Sequence, residues 1–140
     1  MIRIRRAVGL DDDPGIEAVT KACFSHGEWR ALDSADAVWV ATAYHGQILG
    51  YACVRGIASQ ATAYLSLSAV EPASRGQGIQ RRLILARLRW ARENHFAWAI
   101  TYTAEKNLAS ANSLIKAGFK LYLPAEPWGL PHAMYWRRRL

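Results

Sequence analysis

A long strand, a glycine turn and an amphipathic helix follow one another near the middle of this chain, and together they constrain the rest of the fold. From Ala61 to Val70, Leu65 and Leu67 alternate with Ser66 and Ser68, the two-residue period of a strand with both leucines on one face. Glu71 to Gln77 is a loop that contains Pro72 and Gly76. The helix then spans Gly78 to Asn94. Ile79, Leu83, Ala86 and Trp90, with Ile84, Leu88 and Ala91 beside them, make its apolar stripe. Arg81, Arg82, Arg89, Arg92 and Glu93 populate the other faces.

A turn of this kind is a device for holding phosphates. Gly76 and Gly78 lack Cβ, so the backbone can curl and bring successive N–H groups to a common point. The helix that opens after them has unpaired donors and a positive dipole end. Arg75, Arg81 and Arg82 add charge nearby. An ordinary tight turn needs no more than Gly-x-Gly, so the short motif alone does not decide the matter. Two other phosphate loops fail on the residues present: Ile79-Gln80 stands where a P-loop has Lys-Ser/Thr, and Arg81 where a dinucleotide fingerprint has its third glycine.

The flanking segments build a sheet around this unit. Ile2 to Val8 alternates apolar and basic residues as a half-buried strand does, and Asp13-Pro14 offers an N-cap and first helical residue for a helix through Ile16, Val19, Thr20 and Cys23. Phe24 to Asp36 is mixed, with one short helical turn expected. Ala37 to Tyr44 and Gln47 to Ile57 form a hairpin about His45-Gly46. Ala97 to Thr103 is a strand, Asn107 to Ala117 a helix ending at Gly118, and Phe119 to Leu123 and Ala133 to Arg138 close the order around the loop Pro124 to Pro131. Hairpins imply antiparallel pairing, and the unit Ala61–Thr103 implies one parallel crossover. The expected fold class is α/β in the mixed α+β sense: a mostly antiparallel sheet with helices on both faces. With no repeat or linker, residues 1–140 read as a single domain.

Charge and cysteine content narrow the partners. The chain has 18 Lys and Arg against 11 Asp and Glu, a net charge of +7, so it attracts something anionic: nucleic acid, an acidic protein or a phosphorylated cofactor. Cys23 and Cys53 allow one disulfide but read better as two buried free thiols, neither has a metal-ligand neighbour, and no metal is expected. No signal-peptide core or membrane-length apolar run is present, which places the expected protein in the cytoplasm.

Two spaced motifs then carry a resemblance. Val70-x-Pro72-x-x-Arg75-Gly76-x-Gly78-Ile79, followed by Leu83-Ile84, resembles the acetyl-CoA signature of the GCN5-related N-acetyltransferase (GNAT) family. Asn107-x-x-Ser110, Leu114, Lys116 and Gly118-Phe119 are similar to its second signature, in the right order. The resemblance implies a V-shaped split in the sheet, with the strand ending at Val70 diverging from Ala97–Thr103. It implies that Ala69 and Val70 bond the pantetheine arm of acetyl-CoA. Backbone amides of Arg75, Gly76, Gln77, Gly78, Ile79 and Gln80 would take the pyrophosphate, with Asn107 and Ser110 on the other side. Asn107 is also a natural helix N-cap, and both roles are compatible.

The chain departs from that pattern at places that matter for catalysis. Ala73 stands where the family's six-residue motif starts with Gln or Arg. Leu114 stands where many members have a tyrosine that protonates the departing thiolate. Tyr64 occupies, by register, the strand position of a glutamate base. Glu28 is the acidic candidate for a base, Tyr102 the alternative acid, and His26 a weaker base. Each has an ordinary reading as well: a solvated carboxylate for Glu28, core aromatics for the tyrosines. Trp29, Trp39 and Trp128 are candidates for an aromatic acceptor pocket, and the loop with Trp128 and His132 for a lid. The expected activity is acetyl transfer to a primary amine on a small molecule or peptide, by direct attack, with a homodimer left open. The rivals are a CoA-binding fold without transfer and a basic nucleic-acid-binding module, since six arginines lie between Arg75 and Arg92 and Arg137-Arg138-Arg139 ends the chain.

Overall fold

The computed structural model describes residues 1–24 and 34–140. Its strands form one seven-stranded sheet in the order β1-β2-β3-β4-β5-β7-β6. In chain order these are β1 (Arg3–Arg6), β2 (Ala37–Thr42), β3 (Ile48–Ile57), β4 (Thr62–Val70), β5 (Trp98–Ala104), β6 (Lys120–Tyr122) and β7 (Ala133–Arg139). Each described neighbour pair is antiparallel except β4 with β5. That parallel pair is joined by α2 (Ile79–Glu93), the crossover expected from the Ala61–Thr103 unit. The mixed α/β class read from the sequence is the one observed.

Helices cover both faces because β3 is apolar on both. Ala52 and Val54 belong to the cluster that α2 closes with Ile79, Leu83, Ile84 and Leu88. Tyr51 and Cys53, pointing the other way, pack with Ile16 and Val19 of α1 (Gly9–Cys23). Tyr51 also shares a 2.8 Å hydroxyl hydrogen bond with Thr20. The third helix, α3 (Leu108–Lys116), joins the α2 side through Ala111 and Leu114.

The start of α1 corrects the sequence reading. The helix begins at Gly9, so Asp13 is not its N-cap and Pro14 lies inside it. Asp12 accounts for the difference. Its carboxylate accepts two bonds from the Arg5 guanidinium, at 2.8 and 2.9 Å, and another from the Val8 N–H. This draws the helix start back against β1. Pro14 forgoes one helical bond on an exposed face.

A second correction concerns Leu65 and Leu67. Ala52 pairs with Ser68 but Val54 pairs with Leu65, so Ser66 and Leu67 both stand opposite Cys53. This is a β-bulge, and one extra residue flips the alternation. Leu65 therefore joins the α2-side core while Leu67 packs on the α1 side.

Past the bulge the sheet opens. β4 and β5 pair only at Thr62–Trp98, Ala63–Ala99 and Tyr64–Ile100. Thr101 adds one last tie by donating its hydroxyl to the Leu65 carbonyl at 2.7 Å. Beyond this point no ladder joins the two strands among the described residues, whereas β5 continues its pairing with β7 as far as Ala104. A wedge is left between Leu65–Val70 on one side and residues 101–104 on the other.

Candidate active site

The turn after β4 opens onto this wedge. Pro72–Ser74 forms a single 3₁₀ turn, held by the Ser74 hydroxyl donating to the Glu71 carboxylate at 2.6 Å. Gly76 and Gly78 then adopt φ of +82° and +78°, the left-handed region where a side chain costs about 1–2 kcal/mol. Gly78 caps α2 without a side-chain bond. The first helical acceptor is the Gly78 carbonyl, reached by the Arg82 N–H at 3.2 Å. Among the described residues, no backbone N–H from Gly76 to Arg81 finds a protein acceptor. These donors border a cleft of about 710 Å³.

Nine of the ten residues expected at the cofactor line that cleft: Ala69, Val70, Arg75, Gly76, Gly78, Ile79, Gln80, Asn107 and Ser110. Gln77 is the exception, its side-chain amide donating to the Ser74 carbonyl at 3.3 Å. Asn107 caps α3 by accepting the Ser110 N–H at 3.2 Å, and Ser110 in turn accepts a bond from Gln80 at 3.1 Å. The bond from Gln80 ties α2 to α3 across the mouth of the cleft. Among the described residues, no aspartate or glutamate lines the cleft, while Arg75, Arg81 and Lys116 do. Arg82 turns away and donates to the Ile2 carbonyl at 2.8 Å, so it is not one of the charges beside the turn. Arg75 is partly engaged by the Val70 carbonyl at 3.1 Å and by the Cys23 sulfur at 3.6 Å. Both cysteines are free thiols, and burial pushes the Cys53 thiol up to about 12.

A second chamber of about 600 Å³ continues from the cleft through the split, sharing Ser68, Gln80, Asn107 and Ser110 with it. Tyr64 and Tyr102 both line it, their rings 6.4 Å apart and nearly parallel. Trp128 packs edge-on to each at 5.3 Å and is anchored by its indole N–H on the Tyr122 hydroxyl at 3.2 Å. Burial, reinforced by Tyr102, raises the Tyr64 hydroxyl well above the usual phenol range. Tyr64 therefore keeps its proton and offers a donor. Leu114 is buried and lines the same chamber without a polar atom.

The aromatic candidates separate. Trp128 belongs to the chamber's cluster, whereas Trp39 is a core residue with the Arg6 guanidinium over its ring at 5.1 Å. Trp29, His26 and the candidate base Glu28 lie outside the described residues. A shallower groove between β1 and α2 collects Arg5, Arg6, Arg82 and Arg89, away from the strand gap.

One residue escaped the sequence reading. Arg87 is buried at 3% exposure and lines the second chamber. Its position gives a signal: it follows Leu83 by four residues and precedes Ala91 by four, so it falls within the apolar stripe of α2. Its charge nevertheless groups it by eye with the solvated arginines.

Comparison with known proteins agrees with this architecture. The chain matches the family model described as Acetyltransferase (GNAT) family over residues 6–119. No curated protein sequence matches it. Among solved structures it is similar to the ribosomal-protein-S18-alanine N-acetyltransferase from Escherichia coli, with a TM-score of 0.81 and 16% identity over 99% of this chain and 94% of that one. A GCN5-related N-acetyltransferase from Kribbella flavida gives 0.79 and 20% identity over 99% and 98%. The GNAT family N-acetyltransferase YhbS from Escherichia coli, solved in complex with CoA, gives 0.74 and 22% identity over 99% and 81%. At these identities the structural likeness concerns the fold.

Proposed function

Because the chain belongs to the GNAT acetyltransferase family, we propose that it is a single-domain, acetyl-CoA-dependent N-acetyltransferase acting on a primary amine in the cytoplasm. The observation that carries this reading is the junction of two features in one place. The unpaired amides of the Gly76–Gly78 turn open onto the same gap that β4 and β5 leave unzipped. The first suits a pyrophosphate and the second suits an extended, polar arm that needs strand-edge partners.

In this reading, residues 76–80 hold the phosphates through backbone donors, the expected Arg75 amide being taken instead by the Pro72 carbonyl at 3.4 Å, with Arg81 and Lys116 adding charge. The edge of β4 at Ala69 and Val70 bonds the arm on one side, and Asn107 and Ser110 on the other. Acetyl-CoA, when bound, supplies an acetyl group activated as a thioester. The bulge at Ser66–Leu67 interrupts the ladder register where that thioester would lie, and a strand N–H in this stretch would serve the developing negative charge on its oxygen. The amine enters through the Tyr64–Tyr102–Trp128 side as the neutral base. A C–N bond forms as the C–S bond breaks, and the sulfur takes up a proton. Glu28 is the candidate for removing the amine's proton. Tyr64 and Tyr102 are the candidates for supplying one to the sulfur, in place of the tyrosine that Leu114 replaces. Holding both reactants in one gap supplies much of the rate.

The decisive experiment is calorimetric titration with acetyl-CoA, followed by an amine panel scored by release of free CoA thiol. Saturable binding and thiol release with at least one amine are expected. Absence of binding overturns the cofactor assignment. Binding without release, for every amine, shows a CoA-binding fold that has lost transfer.

A further inference from the structure

The chamber behind the phosphate cleft contains two charged side chains among the described residues, and both are positive. Arg55 is exposed at its rim, with its guanidinium 5.8 Å from the centroid of the Tyr64 ring. Arg87 lies in its floor. Its Nε donates to the Leu83 carbonyl and one Nη to the Cys53 carbonyl, each at 3.3 Å. Cys53 is the residue that the bulge leaves without a single partner on β4. These two bonds use two of five guanidinium N–H groups. No carboxylate lies within ion-pair distance of either arginine among the described residues. Burial draws the Arg87 guanidinium down to about 10, so it is still charged at neutral pH.

Among the described residues Arg87 has no counter-ion, a costly state for a buried cation that an anion arriving in the chamber would offset. A polyamine or a lysine flanked by basic residues would instead bring its charge against two others. We propose that the acceptor is an amine that also carries an anionic group, of the aminocarboxylate class. The anionic end is bound by Arg55 at the rim and attracted by Arg87 in the floor, while the amine faces the strand gap. The proposal rests on the transferase reading and names the substrate class for it.

The test compares the common L-amino acids, each paired with its primary amide, for binding to protein saturated with CoA. Binding is measured by calorimetry and thermal shift, and the same pairs are scored for thiol release. At least one acid should bind about tenfold or more tightly than its amide, the range of one charge-assisted contact. Arg55→Gln should remove most of that difference with CoA affinity unchanged, and Arg55→Lys should restore part of it. Because Arg87 also braces the bulge carbonyl, it is examined only as Arg87→Lys, which should retain the acid preference more fully than Arg55→Gln does. Amides that bind as well as acids, a panel in which no acid binds, or an Arg55→Gln variant that weakens both members of a pair alike would each overturn the proposal. Failure of CoA itself to bind strikes the transferase reading instead. The acid and amide comparison on the protein without CoA then still decides the preference for an anion.

Discussion

Asp12 shows how one side chain can overrule a local signal. Two charge-assisted bonds from Arg5 and one from the Val8 N–H hold its carboxyl below the usual carboxylate range, and they outweigh burial, which pushes it up. A folded pKa lowered in this way contributes stability that is complete above about pH 5, where the unfolded carboxyl is also almost fully ionised. That contribution is lost as pH falls through the folded value. Asp12→Asn should therefore cost roughly 1.5–3 kcal/mol at pH 7 in urea unfolding, with the gap from the parent protein closing toward pH 3. A gap that is unchanged at pH 3 would mean the ion pair is not its source. Arg5 is the partner worth mutating in parallel, because the 2.8 Å ion pair is formed with a carboxylate whose side chain is only 7% exposed.

At the scale of the element, α2 has different work along its length. Its first turn presents free amides, its middle buries Leu83, Ile84 and Leu88, and Gln80 reaches Ser110 on α3. The turn before it is set by backbone conformation alone, since a Cβ built on Gly76 or Gly78 meets nothing within 4 Å. Gly78→Ala consequently strains φ without a clash. It should lower stability by about 1 kcal/mol and weaken acetyl-CoA binding by about tenfold, because the strained turn re-aims its donors. Calorimetry reads the second effect. A variant that keeps full affinity would show that these amides do not hold the phosphates.

For the whole molecule, the split between β4 and β5 is the feature to probe. Three residue pairs zip the strands at one end, and beyond Thr101 the edges are free for a ligand. Hydrogen exchange should therefore respond locally when acetyl-CoA is added. Protection should rise at residues 66–70, at 101–104 and in the first turn of α2, and stay flat in β1 and β2, which lie across the sheet. Equal protection throughout would indicate general stabilisation by a ligand seated elsewhere.

Much of this was legible in the chain because it depends on short-range physics. The glycine turn, the stripe of α2, the Asn107 cap and the parallel crossover follow from dihedral preference and from periods of two and 3.6 residues. The positive-φ turn at Gly76–Gly78, opening a helix with unpaired backbone donors, could be read from its residues alone. Tertiary structure alone decided what depends on partners far along the chain. The bulge that separates Leu65 from Leu67 is a mismatch between β3 and β4. The early start of α1 comes from Arg5 on another element, and the Tyr64–Tyr102–Trp128 cluster joins three remote segments. Arg87 is the sharpest instance: its residue type argues for solvent, and only the packed α2–sheet interface makes it a buried charge facing the gap.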